Sequence, residues 1–412
     1  MRHSDEIIFI GLSITSSWGN GHASTYRSLI RGLHQLGHRV LFLEHDQPWY
    51  ASNRDAPILA YCQSRLYADI DELRSRFTPR IRAAAAVIVG SYVHDGRRVC
   101  DWVLDRAEGV KAFYDIDTPV TLARLKNDTC EYLRAAQVPK FDLMLSFTGG
   151  PILQRLEQEF GARCARPLYC SVDVDQHRPA VLKRDIDLGY LGTYSADRQP
   201  ALEELLNEPA RRLPKHRFAV VGAQYPSQLT WPKNVQRVDH MAPDSHASFY
   251  GRQRFTLNLT RADMRKAGYS PSVRLFEAAA CGTPIISDDW VGLSAVLEPG
   301  KEILLAHSAA DVTGHLESVS DAQALQIAAA ARERICAEHS SAHRAAELES
   351  HLTAARASAE RLESNRESMS VESGTTKAGG AEERVVAVHG ESNDTGRCVQ
   401  PRADGRAGTM VS

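Results

Sequence analysis

The segment SPSVRLFEAAACGTPIIS at residues 270–287 carries one acidic side chain, Glu277, inside a short helical run. Three alanines follow it, and such small side chains let neighbouring backbones pack closely, which would hold the carboxylate rigidly. Gly282 and Pro284 predict the end of this helix. Because a rigid carboxylate can accept hydrogen bonds from both ribose hydroxyls, we predict that Glu277 binds a nucleotide ribose. The alternative is a surface ion pair with Arg274, three positions earlier.

The start of the same helix has the residue types of an anion-binding site. Ser270 is a suitable N-cap, and Pro271 suits the first helical position, where a missing N–H costs nothing. No Glu or Gln follows at the third position, so the amides of Ser272 and Val273 are predicted to face a ligand anion. Basic residues nearby would add positive charge, namely Arg261, Arg265, Lys266 and Arg274.

A second candidate ligand loop, SSWGNGHAS, follows the first predicted strand. Gly19 and Gly21 begin a G-x-G-x-x-G pattern, and Glu44 ends the next strand, as in dinucleotide-binding folds. However, Ser24 stands where that pattern has glycine or alanine, and the loop is longer than the tight turn that the pattern needs. We predict instead that the backbone approaches a ligand at the helix start, with His22 beside it. A flexible turn with an exposed histidine is the alternative.

Two further candidates follow strands in the N-terminal half. GSYVHDG places His94 in a loop after one strand, and YDIDTP places Asp115 and Asp117 at the end of another. Loops at the carboxyl ends of parallel strands face the ligand crevice. We therefore predict that His22, His94 and Asp117 are catalytic, as acceptor-orienting or general-base groups. The alternatives are an exposed loop histidine at His94 and a Mg²⁺ or Mn²⁺ site at the D-x-D.

Two successive sets of strand and helix patterns must position these residues. The strand candidates of the two sets are 6–12, 38–44, 83–91, 110–117 and 141–147, and then 186–194, 216–222, 254–260 and 283–289. A helix is predicted at 25–37, a strand and then a hinge at 167–179, and helices at 319–365. This alternation predicts an α/β fold with two Rossmann-like domains. Residues 366–412 have few large apolar side chains and are predicted to be disordered.

Composition limits the function classes. The 412 residues suit two domains, and 49 basic against 51 acidic residues leave a net charge of −2, which gives no reason to expect nucleic acid or an anionic membrane as partner. The eight cysteines contain no C-x-x-C pair, so we predict no zinc site and a reducing compartment. Neither a signal peptide nor an apolar run of about 20 residues is evident, so a cytoplasmic protein is expected.

RLFEAAACGTPIISDDWVGL, followed by LEPGKEILL, resembles the donor-site signature of the GT-B glycosyltransferases of the group-1 type. The resemblance is closest to the branch related to bacterial spore-maturation glycosyltransferases. SSWGNGH, PLYCSVDVDQHRP, LGYLGTYSADR and HSSAHRAAELESHL agree in order with that family's glycine loop, hinge, phosphate-side loop and closing helices, so it covers residues 6–355. It implies an acceptor domain at 1–175, a nucleotide-sugar donor domain at 176–340, a closing helix at 341–365 and a tail at 366–412.

The resemblance also implies residue roles. In this family the glutamate that matches Glu277 binds the ribose, and many members have a second glutamate eight positions earlier that addresses the sugar. Here that earlier position is Tyr269. Arg198, after LGTY, matches a basic residue that contacts the diphosphate. The predicted donor-binding residues are therefore Gly19, Gly21, Arg198, Arg265, Ser270, Ser272, Val273, Arg274 and Glu277.

The expected activity is that of a hexosyltransferase-like enzyme, which moves a sugar from a nucleotide-diphosphate sugar to an unknown glycan, protein or small-molecule acceptor. Helix amides and arginines would stabilise the departing diphosphate, so no metal and no cofactor beyond this co-substrate are expected. Two alternatives stay open: an NAD(P)-dependent oxidoreductase and a non-catalytic nucleotide-sugar-binding assembly protein. The D-x-D pair, which is the signature of the other large glycosyltransferase fold, is a further competing pattern.

Overall fold

The computed structural model describes residues 4–375 and contains two parallel sheets. The N-terminal sheet has seven strands in the order β3-β2-β1-β4-β5-β6-β7. These strands are β1 (Ser4–Gly11), β2 (Arg39–His45), β3 (Gln63–Tyr67), β4 (Ala84–Gly90), β5 (Val110–Asp115), β6 (Leu143–Ser146) and β7 (Ala165–Pro167). The connecting helices are α1 (Gly21–Gln35), α2 (Pro48–Ala51), α3 (Ile70–Ala83), α4 (Gly96–Arg106), α5 (Thr118–Lys126) and α6 (Pro151–Gln158).

The C-terminal sheet has six strands in the order β10-β9-β8-β11-β12-β13. They are β8 (Ile186–Leu191), β9 (Phe218–Val221), β10 (Val235–Val238), β11 (Gln253–Asn258), β12 (Ile285–Ser287) and β13 (Leu304–Leu305). The helices of this half are α7 (Gln199–Leu202), α8 (Glu208–Arg212), α9 (His246–Gly251), α10 (Ala262–Ala267), α11 (Val273–Ala280), α12 (Ala309–Ser318) and α13 (Asp321–Glu338).

Helices cover both faces of each sheet, which explains the continuous apolar runs of the central strands. In β1, Ile8 and Ile10 pack in one hydrophobic core, while Ile7 and Phe9 pack in a second core on the opposite face. Because successive side chains of a strand point to opposite faces, such a strand needs apolar residues at every position.

The last helix, α14 (Ser341–Thr375), returns to the N-terminal half. Ala345, Leu348 and Leu352 are buried in the same core as Phe9 and Leu29. The predicted boundary at 340/341 falls just before this helix. The predictions of a helix end at 365 and of disorder from 366 are wrong for residues 366–375, because α14 continues to Thr375, and the remaining predicted tail, 376–412, lies outside the described residues. Within residues 4–375, no helix is both long enough and apolar enough to cross a membrane.

The predicted strands of both sets are present, and the two Rossmann-like domains are confirmed. Four strands were not predicted, and all four lie at sheet edges: β3, β7, β10 and β13. The strand expected within 167–179 is wrong, because β7 ends at Pro167 and only an isolated bridge from Val172 to Ser340 follows. The predicted boundary at 175/176 falls in this connection between the sheets.

Candidate functional site

Residues that follow the carboxyl ends of strands in both sheets line one cavity of about 580 Å³. Ligands of parallel α/β sheets bind in the crevice at these strand ends. The predicted site residues that line the cavity are Gly19, Gly21, His22, Asp117, Arg198, Ser270, Ser272, Val273, Arg274 and Glu277. Ten of the twelve predicted site residues therefore lie around one cavity.

His94 and Arg265 do not line this cavity. The His94 ring stacks on His45, with 4.2 Å between ring centroids. Tyr92 has a φ of 63°, and this left-handed turn brings Tyr92 to the cavity instead of His94. Arg261, just before α10, lines the cavity, whereas Arg265, one turn further along, lines a separate surface pocket. Both residues are corrections to the predicted site.

Glu277 lies on α11 and is only 3% exposed. Its Oε2 accepts hydrogen bonds from His246 Nδ1 and from the Tyr250 hydroxyl, each at 3.2 Å, and His177 Nε2 lies 3.6 Å from Oε1. Burial opposes the charged form, but the two histidines outweigh it and lower the pKa of Glu277 to about 2. In turn, Glu277 raises the pKa of His246 against the effect of burial. The acid is therefore charged and oriented.

The start of α11 differs by two residues from the prediction. The N-cap is Ser272, whose backbone is extended, and the helix begins at Val273, so Ser270 and Pro271 precede it. The Ser272 hydroxyl donates to Asn258 Oδ1 at 2.6 Å, and as a result no side chain caps the helix. The Leu275 amide donates to the Ser272 carbonyl at 3.1 Å, whereas no side chain takes the predicted amides of Ser272 and Val273, which leaves these two available to an anion. At the other end, Gly282 with φ of 66° terminates the helix.

Two arginines that line the cavity, Arg198 and Arg274, donate hydrogen bonds only to neutral acceptors. Arg274 is 7% exposed and donates to the Leu191 carbonyl and to Asn258 Oδ1, the latter at 2.9 Å. Arg198 donates to the Thr193 carbonyl at 2.6 Å. Within the described residues neither forms an ion pair, so the surface pair of Arg274 with Glu277 is not formed. A buried cation without a counter-ion favours an anionic ligand.

On the opposite wall, an ion-pair cluster joins the two domains. The Tyr92 hydroxyl donates to Asp117 Oδ2 at 2.7 Å, and Arg261 Nη1 donates to the same oxygen at 3.2 Å. Arg261 also reaches Asp197, with Nε 3.4 Å from Oδ2. The His22 ring lies beside Tyr92, and burial lowers the pKa of His22 although Asp117 acts in the opposite direction. A neutral imidazole near a carboxylate can accept a proton.

Hydrogen bonds from side chains of the N-terminal domain hold the glycine loop in place. Helix α1 begins at Gly21, four residues before the prediction, because the Asn20 side chain accepts from the His22 amide at 3.0 Å and caps it. Glu44 is fully buried and accepts four hydrogen bonds from Ser13, Ile14 and Thr15. The Glu44 carboxylate therefore holds the loop and has no free oxygen for a ligand. The dinucleotide interpretation used Glu44 as its ribose-binding acid, so it loses its main support.

The D-x-D pair does not form one ligand set. Strand β5 ends at Asp115, so the alternation that would place both acids on one face does not extend to Asp117. Asp115 is 1% exposed and accepts from Thr121 Oγ1 at 2.9 Å. Asp117 lines the cavity, whereas Asp115 lies beneath it. The metal alternative for these two acids therefore lacks geometric support.

Tyr269, at the position of the family's second glutamate, joins the two domains. Its ring lies between Gly150 and Gly292, where a Cβ on either glycine would overlap it. Its carbonyl accepts from the Gly149 amide at 2.9 Å, and Ser270 Oγ lies 2.5 Å from Thr148 Oγ1 in the N-terminal half. The ring does not line the donor cavity.

Sequence reasoning missed several residues of the site. His246 and Tyr250 come from α9, and His177 comes from the connection between β7 and β8. His246 follows β10, whose short and partly polar sequence gave no strand signal, so the usual argument from strand ends was not available. Tyr92 carried no signal, since its position depends on a positive φ.

Comparisons with known proteins agree with this geometry. Residues 198–350 match the model of a family described as Glycosyl transferase-like. No curated protein matches the sequence. The solved structures that it resembles include a sucrose-phosphate synthase from Thermosynechococcus elongatus, with a TM-score of 0.62 and 15% identity over 85% of this chain and 99% of that one.

Two other similar structures contain nucleotide ligands. The Anabaena protein HepE, in complex with UDP and glucose, has a TM-score of 0.62 and 12% identity, covering 84% of this chain and 99% of that one. An alpha-glucosyltransferase in complex with UDP-glucose and DNA has a TM-score of 0.62 and 13% identity, again covering 84% and 99%. These likenesses confirm the GT-B fold. Together with the family match, they support a nucleotide-sugar-dependent glycosyltransferase. The chain has the GT-B fold, and its residues 198–350 are similar to a glycosyl transferase-like family.

Proposed function

We propose that the protein transfers a sugar from a nucleotide-diphosphate sugar to an acceptor that enters the cavity from the N-terminal domain. The observation that carries this proposal is the pairing of charges in one cavity. Arg198 and Arg274 lack acidic partners among the described residues, and they lie near the uncapped start of α11, while Glu277 is held as a charged acid. A diphosphate and a ribose would complement these two features.

The proposed roles follow from these positions. The first-turn amides of α11 and the two arginines bind the diphosphate, and Glu277 accepts hydrogen bonds from the ribose. UDP is a suitable first ligand, since two of the similar structures contain UDP or UDP-glucose. Fixed N–H donors stabilise the charge that develops on the leaving diphosphate, so transfer requires no metal ion at that group and no further cofactor.

The N-terminal wall would serve the acceptor. An acceptor hydroxyl forms the new bond to the anomeric carbon, the bond to the diphosphate oxygen breaks, and the hydroxyl proton passes to the protein. His22, whose pKa is lowered by burial, is the proposed base, and the charge of Asp117 would favour the imidazole after it has taken the proton. We propose a glycan, protein or small molecule as acceptor and the cytoplasm as location. The DNA in one similar structure belongs to that protein, and the net charge of −2 gives this chain no electrostatic preference for DNA.

We also propose that the chain belongs to the branch related to spore-maturation glycosyltransferases. This proposal depends on the sequence RLFEAAACGTPIISDDWVGL and on the order of the other matching segments.

Calorimetry with UDP and with uridine tests the donor site. Loss of a charge-assisted hydrogen bond costs about 1.5–3 kcal/mol, or about 10- to 150-fold in affinity. Glu277→Gln should therefore weaken both ligands by about tenfold or more. Arg198→Gln should weaken UDP by a similar factor and leave uridine unchanged. Arg265→Gln, outside the cavity, is the matched control and should change neither.

Nucleotide-sugar hydrolysis tests the activity. UDP-, GDP- and dTDP-sugars are incubated with the protein, and release of free sugar is followed. UDP affinity that stays at the wild-type level in Glu277→Gln would show that the ribose assignment is wrong. Stabilisation by NADH alone would favour an oxidoreductase, and tight nucleotide binding without transfer or hydrolysis would favour a binding protein.

A further inference from the structure

Behind the donor cavity, three side chains from three separate segments converge. His177 comes from the connection between the two sheets, His246 is the first residue of α9, and Glu277 lies on α11. One ring nitrogen of each histidine and one carboxylate oxygen of Glu277 lie within 4.8 Å of one another. His177 and Glu277 are almost fully buried, with 5% and 3% of their surface exposed.

The spacing of these atoms fits a shared ion. Ligands about 2.1 Å from a tetrahedral metal ion lie about 3.4 Å apart. Glu277 Oε2 lies 3.2 Å from His246 Nδ1, and Oε1 lies 3.6 Å from His177 Nε2. The second separation is longer than a normal hydrogen bond, and both contacts, which use different oxygens of Glu277, are close to the separation of two ligands on one ion.

His177 has no hydrogen bond partner for either ring nitrogen in the described part of the chain, although it is buried. Buried polar groups normally have hydrogen-bond partners, so a buried histidine whose carboxylate neighbour lies beyond hydrogen-bond distance has room for a ligand. The small cavity of about 50 Å³ that His177 and Glu277 both line provides space beside them.

The groups around the cluster have the pattern seen around bound metal ions. Histidine ligands commonly direct their second nitrogen to a backbone carbonyl, and carboxylate ligands accept further hydrogen bonds. His246 Nε2 lies 3.4 Å from the Met241 carbonyl oxygen. Glu277 accepts from the Tyr250 hydroxyl at 3.2 Å. These contacts fix the orientation of two of the three candidate ligands.

We propose that His177, His246 and Glu277 bind one divalent transition-metal ion. Among these ions, Zn²⁺ suits this set of ligands best. Two histidines and a glutamate with one open position are a known zinc arrangement. His246 and Glu277 also line the donor cavity, so the open position faces it and takes water or a ribose hydroxyl. The three protein ligands are independent of the proposed function, and only a ribose hydroxyl as fourth ligand depends on it. In that case the ion would lie beside the ribose and not beside the diphosphate.

The experiment uses the full chain. The protein is purified without chelator, its metal content is measured by mass spectrometry, and it is then stripped with EDTA and titrated with Zn²⁺ by calorimetry. One ion per chain is expected, and Co²⁺ in the stripped protein should give the visible absorption of a four-coordinate site. His177→Gln should weaken Zn²⁺ by at least about 100-fold. His240→Gln is the control, because His240 lines the donor cavity outside the cluster; it should bind like wild type.

Circular dichroism confirms that each variant is folded, and His246→Gln is the second variant should His177→Gln fail to fold. Stripped wild-type protein that binds neither Zn²⁺ nor Co²⁺ at micromolar concentration would overturn the proposal, as would wild-type Zn²⁺ affinity in both variants. UDP titration of the stripped protein separates the two proposals. Nucleotide binding without metal binding overturns this inference alone, and metal binding without nucleotide binding overturns the proposed function alone.

Discussion

Asp115 gives a prediction whose size follows directly from its burial. It lies at the end of β5 beneath the cavity, and its Oδ1 accepts from the Asp117 amide at 3.2 Å. Burial raises the pKa of Asp115 from an ordinary 3.8 to about 7, although hydrogen bonds from Thr121 oppose the rise. Since one pKa unit equals about 1.36 kcal/mol, the ionised form is disfavoured by about 4 kcal/mol in the folded protein.

The direction of the pH effect follows from the two states. Between about pH 4 and pH 7 the folded chain keeps a proton on Asp115 that the unfolded chain has lost, so this group's contribution to stability falls as pH rises. Asp115→Asn is uncharged at every pH and lacks this loss. Its free energy of unfolding relative to wild type should therefore increase by about 2.5 kcal/mol from pH 5 to pH 8.

Urea unfolding of both proteins at pH 5 and pH 8, followed by circular dichroism, measures this difference. Asp289→Asn makes the same chemical change at an exposed carboxylate, and its effect should stay within about 0.5 kcal/mol at both pH values. If the difference between Asp115→Asn and wild type is the same at pH 5 and pH 8, Asp115 is ionised in the folded protein and the reasoning from burial is refuted.

Two further predictions concern the contacts between the domains. Gly150→Ala should lower the unfolding midpoint, because Gly150 has φ of 63° and its new methyl group would displace the Tyr269 ring. Gly300→Ala is the control, since Gly300 has φ of 80° and no atom near the new methyl group, and it should cost only about 1–2 kcal/mol of backbone strain. Equal losses of stability in the two variants would contradict the role of the ring. Arg261→Gln should change stability by less than about 1 kcal/mol, since its ion pair with Asp117 is partly exposed. Initial rates with the preferred nucleotide sugar should nevertheless fall, and unchanged rates would remove Arg261 from the site.

The central strands could be predicted from sequence, and the edge strands could not, for one physical reason. A central strand is covered on both faces and therefore reads as a continuous apolar run, as in EIIFIGL. The edge strands β3 and β10 have the sequences QSRLY and VQRV, in which polar and charged residues face solvent. The seven- and six-stranded sheets were therefore expected with fewer strands than they have.

The site was predictable where it is local and was missed where it is assembled from distant segments. Glu277 and the helix start lie in one stretch of sequence, and the structure places them in the cavity. The two histidines that set the charge state of Glu277 are 31 and 100 positions away, and no spacing rule links them. The N-cap was predicted at Ser270 instead of Ser272. The hydrogen bond from the Ser272 hydroxyl to Asn258, at the end of β11, cannot be seen in the local sequence.

The departure at Tyr269 has a structural explanation that bears on sugar recognition. In the two-glutamate members this position addresses the sugar, but here its ring fills the space between Gly150 and Gly292 and leaves the cavity wall. A glutamate side chain has no ring that could fill the space between these two glycines. Polar side chains across the cavity include His22 and Asp117 from the N-terminal domain and Arg261 from the C-terminal domain. We therefore expect groups from both domains to recognise the sugar, which would tie donor binding to the contact between the two domains.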